Sequence, residues 1–151
     1  MKPPDLIVTA RELIGSGRKP RQSNLRRATS SAYYALFHAL SRCCADTLTG
    51  TNCRTKRAWR HVYRALDHKF ALDMCRNKNI SSFPQEVQDF ANAFVSLQSK
   101  RHSADYDPHA QLYKSAVQVD VDNAELVLKT FRRVPVHHRR AFAIWVLLRQ
   151  R

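Results

Sequence analysis

Apolar residues recur at intervals of three and four along most of this 151-residue chain. That interval places side chains on one face of an α-helix. One such stripe runs Phe83, Val87, Phe90, Phe94, Leu97. Its next step falls on Arg101, a guanidinium aimed where a core residue belongs. A charge in an interior is costly unless it is paired. The spacing predicts a helix from Pro84, at the N1 position, to about Arg101, followed by a turn at "ADYDP".

The same periodicity predicts four more helices. Asp5–Ile14 carries Leu6, Ala10, Leu13 and Ile14 on one face and is ended by "GSGRKP". Arg21–Leu48 turns Leu25, Ala28, Ala32, Leu36, Ala39, Leu40 and Cys43 inward, a face widened by Tyr33 and Phe37. Thr55–Cys75 reads as one helix with Trp59, Val62, Tyr63, Leu66, Phe70 and Met74 inward. Asp107 is placed to cap a helix from Pro108 to about Arg133, with Tyr113, Val117, Val121, Ala124, Leu128 and Phe131 inward. After Pro135 an apolar block, Ala141 to Leu148, lies between basic clusters. It is expected to dock on the bundle or into a dimer, in preference to a membrane surface. The expected fold is all-α, an antiparallel bundle of about five helices over residues 5–133, with a basic C-terminal helix over 134–151.

Composition agrees with helices, since there are only three glycines. No apolar run approaches the roughly 20 residues needed to cross a bilayer, and "MKPPDLIV" lacks the apolar core of a secretory signal. The four cysteines form no CxxC pair, so reduced thiols in a cytoplasmic protein are expected.

Charge changes the picture more. The chain carries a net +14, unevenly spread. Residues 51–78 hold eight basic and two acidic groups, and 129–151 hold seven basic and none acidic, whereas 79–128 hold three basic and seven acidic. Such a balance favours a polyanionic partner through counterion release, with RNA or DNA as the default. Arg57, His61, Arg64 and His68, with Arg60 beside them, form a basic stripe opposite an apolar face. That stripe either lines a nucleic-acid groove or is simply solvated. His61, His68 and Cys75 recur every seven residues, but a zinc site would need ligands from another element, and neither metal nor cofactor is expected. There is no glycine-rich phosphate loop, no glutamate pair on one helix and no supported Ser-His-Asp set. Tyr34 and His38 share a second face of their helix, flanked by Arg27 and Arg42.

"LRRATSSAYYALFHAL", followed much later by "LQSKRHSADYDP", resembles the HEPN domain superfamily. Tyr34 and His38 lie in the first motif, Arg101, Asp105 and Tyr106 in the second, and the resemblance covers roughly residues 5 to 133. It implies a helical bundle that forms a homodimer with a cleft at the interface. It also implies metal-independent RNA cleavage in a toxin–antitoxin or defence module, often beside a nucleotidyltransferase-like antitoxin. The alternative is a non-catalytic module that holds such a partner or a nucleotide. The family's active motif is an arginine, a polar residue, then a histidine after four to six intervening positions. Arg101 and His102 fit its start, but positions 106–108 are Tyr106, Asp107 and Pro108, and His109 falls one step beyond. The resemblance therefore names Arg101 as the catalytic cation that would stabilise a pentacovalent phosphate, with His102 or His109 as proton-transfer groups. In the other reading Arg101 pairs with Asp105 or Asp107 and holds the "ADYD" turn, with Tyr106 packed inside.

Overall fold

A long helix with buried positions on several sides can organise a bundle around itself. In the computed structural model, which describes residues 1–15 and 19–151, α2 (Gln22–Thr49) is that helix. It touches α1 (Pro3–Ile14), α3 (Arg57–Ala65), α5 (Gln85–Tyr106), α6 (Lys114–Arg132) and α7 (Val136–Leu147). Ala28, Ala32 and Ala35 are fully buried, and their small side chains let neighbours approach closely. The remaining helix is α4 (His68–Arg76), and no strand occurs among the described residues. The protein is an all-α helical bundle. Part of the predicted "GSGRKP" break, residues 16–18, lies outside the described residues.

The core follows the predicted stripe. Val87, Phe90 and Phe94 are fully buried and Leu97 nearly so. Phe90 stacks on Phe131 of α6 at 4.6 Å and meets Phe142 of α7 edge-on. Each such ring contributes about 1.5–3 kcal/mol by leaving water. Helix α7 lies against α2 and α4, with Phe142, Ala143 and Val146 buried and the Trp145 indole N–H donating to the Met74 carbonyl at 3.0 Å. Among the described residues no helix is long and apolar enough to cross a membrane.

Three predicted boundaries move. The single helix over Thr55–Cys75 is two, broken at Leu66 and Asp67, which have extended backbone. Asp67 caps α4 by accepting the Phe70 N–H at 2.7 Å, the role for which aspartate is strongly preferred. The break buries Leu66 and leaves α3 with no fully buried residue.

The predicted turn at "ADYDP" is instead the last turn of α5, which continues to Tyr106 and buries Ala104 one step beyond Arg101. Arg26 of α2 makes this end stable. Its guanidinium donates to the carbonyls of Ala104, Asp107 and Ala110 at 2.7, 2.8 and 2.7 Å. A helix end and the strap after it leave carbonyls short of partners at the negative pole of the helix dipole. Of these three, that of Asp107 also accepts the Ala110 N–H at 3.3 Å. Tyr106, expected inside, is 66% exposed.

The sixth helix starts at Lys114, not Pro108. Asp107 spends its carboxylate on the His109 N–H at 2.9 Å, a local turn that competes with helix capping. Gln22 pins the strap between them, exchanging two hydrogen bonds with the Leu112 backbone at 2.8 and 2.9 Å. Tyr113, expected in the core, is exposed as a result.

Candidate functional site

Arg101 reaches the region where α2, α4 and α5 meet. Its side chain is 12% exposed. The guanidinium carbon sits 5.0 Å from the centroid of the Tyr33 ring and 5.7 Å from that of Tyr34. One terminal nitrogen lies 3.6 Å from Asp105, one turn on. Asp105 is itself fixed by the Ser30 hydroxyl, which donates to it at 2.6 Å. The Arg101 Nε is buried with no hydrogen-bond partner among the described residues. Its charge is thus met by two ring faces and one carboxylate at 3.6 Å, which balance it only in part. The pairing with Asp105 is the one that occurs; Asp107 instead faces His109.

One tyrosine–histidine pair stands beside this cation, and a second lies farther along α2, where His38 neighbours Tyr34. The Tyr33 hydroxyl and His68 Nδ1 are 2.6 Å apart, and the Tyr63 hydroxyl and His38 Nδ1 are 2.5 Å apart. His68 also stacks on Phe37 at 3.8 Å. Burial pushes both histidines below their ordinary pKa, and for His68 the Arg101 charge pushes the same way. Both rings are therefore neutral near pH 7. Burial also raises the Tyr33 phenol well above its usual range, with Arg101 opposing.

Of the residues the motif singles out, the structure brings together Arg101, Asp105, Tyr34 and His38. Tyr34, His38, Asp105, Ser30 and Arg27 line one open groove of about 690 Å³, walled on its far side by apolar residues of α1. Tyr106 is not part of it. His102 is exposed and lies against the Tyr106 ring, 4.9 Å between centroids, and His109 is exposed in the strap after α5. The histidine that feels the Arg101 charge is His68, which the sequence pattern assigned to the basic stripe. The helix break at Asp67 explains the difference, because it turns His68 onto a new helix facing Tyr33 and Phe37. Asp67 before an amphipathic stretch was the available signal for that break. Ser30 and Arg26, which hold the end of α5, carried no sequence signal of their role.

A second feature lies on α3. Arg57, Arg60, His61 and Arg64 share one exposed face around a shallow depression. None of the four forms an ion pair among the described residues. The seven-residue series His61, His68, Cys75 does not converge. Its members are exposed on α3, half-buried on α4 and buried on α4. Among the described residues no three His, Cys, Asp or Glu side chains are grouped to hold a metal ion.

Comparison with family models, with curated proteins and with solved structures finds no match for this chain.

Proposed function

We propose that this chain is an RNA-directed protein of the HEPN type, acting as a homodimer within a toxin–antitoxin or defence module beside a nucleotidyltransferase-like antitoxin. The observation that carries the reading is the site of Arg101, a nearly buried cation that two tyrosine rings and Asp105 satisfy only in part. Beside it runs a groove lined by Tyr34 and His38. The basic face of α3 supports the same reading, because unpaired arginines on an exposed helix attract a phosphate backbone.

In this reading cleavage needs no metal. Arg101 supplies the cation for the transition-state phosphate. His38, neutral near pH 7, lines the groove as a base for the ribose 2′-hydroxyl. The exposed, outward placement of His102 and His109 favours a second reading, a non-catalytic module in which Arg101 braces the end of α5 while the α3 face binds RNA.

Incubating the protein with total RNA in EDTA separates the two. Cleavage by wild type, lost in Arg101→Gln of matched helicity and in His38→Gln, supports the ribonuclease. RNA binding without cleavage supports the second reading, and absence of both refutes an RNA-directed function.

A further inference from the structure

The cavity between the C-terminal half of α2 and helices α6 and α7 has no place in the reading above. It measures about 320 Å³ and is lined by Arg42 of α2, Arg54 from the segment before α3, Arg132 of α6 and Arg139 of α7. A neighbouring cleft of about 230 Å³ shares Arg54 and Arg139 and adds Arg140. Arginines from four separate elements thus converge on one concavity.

The single carboxylate in the lining cannot balance them. Asp46 already accepts two hydrogen bonds from Arg54, at 3.0 and 2.7 Å, and one from the Trp59 indole at 2.9 Å. Burial alone would raise its pKa, but these bonds outweigh burial and hold it below the usual carboxylate range. Arg139 donates its Nε to the Val134 carbonyl at 3.0 Å, which fixes its direction. The side chains of Arg42 and Arg132 make no hydrogen bond or ion pair among the described residues. Like charges held together in a recess repel, and apolar walls, here Ala39, Leu128 and Phe131, concentrate their field. Such a recess costs stability when empty and recovers it on binding an anion.

We infer that this cavity is a binding site for a phosphate group carrying two or more negative charges, either a free diphosphate or the 5′-end phosphate of an RNA. Planar guanidinium forks match phosphate oxygens two at a time. The volume sits at the lower end of the range for small-molecule sites, about 300–1,000 Å³, which suits a diphosphate-sized group. The site shares no residue with the Arg101 cluster or the α3 face, so it stands or falls independently of the proposed function.

The test is calorimetric titration of the full chain with inorganic pyrophosphate at low salt. Wild type binds one equivalent. Arg42→Gln/Arg132→Gln binds at least tenfold more weakly, while Arg57→Gln/Arg60→Gln, which removes the same charge from α3, stays within threefold of wild type. Arg132→Gln alone, at an exposed position, gives a partial loss and serves as a variant safe for folding. No binding by wild type, or equal loss in both double variants, overturns the site. RNA oligonucleotides with and without a 5′-phosphate then compete against pyrophosphate. Competition by the phosphorylated RNA alone assigns the site to a chain end, and competition by neither assigns it to a free diphosphate. Equal competition by both shows general polyanion binding and overturns it.

Discussion

Replacing Tyr33 with phenylalanine removes one oxygen and nothing else from the centre of the candidate site. The ring is fully buried against Phe94, Phe37 and the Arg101 guanidinium, and that packing survives in Tyr33→Phe. The substitution abolishes the 2.6 Å hydrogen bond to His68 Nδ1 and a longer one, 3.4 Å, to Gln98. The imidazole cannot easily turn toward another partner, because it is stacked on Phe37 at 3.8 Å. Leaving a buried polar group unsatisfied costs about 1–3 kcal/mol. His68 is only half-buried, and water recovers part of this, so a loss of about 1–2 kcal/mol is expected. For a chain of this size that lowers the Tm by about 2–8 °C. Urea and thermal denaturation measure it, with Tyr34→Phe as the control. The Tyr34 hydroxyl makes no hydrogen bond among the described residues, so that variant stays within about 0.5 kcal/mol of wild type. Equal stability of Tyr33→Phe and Tyr34→Phe would refute the claim that the Tyr33–His68 bond organises the site.

The same geometry sets a pH dependence and a capping energy. The folded-state pKa of His68 and His38 lies below the unfolded value of about 6.5, so the unfolded chain binds more protons in acid. Their contribution is fully present above pH 6.5 or so and is lost as pH falls toward the folded values. The Tm should therefore drop on acidification below about pH 6.5, and His68→Gln should flatten that slope although Arg101, Asp67 and His38 still face the position. Asp67→Ala removes the cap of α4 and should cost about 1 kcal/mol in urea unfolding, while Asp73→Ala on the exposed side of the same helix should cost less than half as much.

The helical stripes were legible because each is long and periodic, and the residues they named in α5 and α6 are mostly the ones buried. The ends were less legible, since local side-chain chemistry competes there with periodicity. Asp67 could read as a helix-interior residue or as a cap, and only the packing of Leu66 and His68 decided between them. At Asp107 a local turn prevailed, and α6 began six residues after Pro108. The anomaly of Arg101 on an apolar stripe was visible in the sequence, and the Asp105 partner follows from the four-residue spacing. Its aromatic bed was not visible, because Tyr33 comes from a helix 68 positions earlier in the chain. The arginine-lined cavity was hidden for the same reason. Its members are scattered from Arg42 to Arg140, and only the meeting of α2, α6 and α7 gathers them.

That this protein is directed at RNA is tested most directly by the salt dependence of its binding to an unstructured single-stranded RNA, followed by fluorescence anisotropy. The account predicts a linear fall of log K with log salt, and a slope shallower by about 2 in Arg57→Gln/Arg60→Gln/Arg64→Gln, at about 0.7 for each phosphate no longer neutralised. No binding by wild type at low salt, or an unchanged slope in the triple variant, would contradict it.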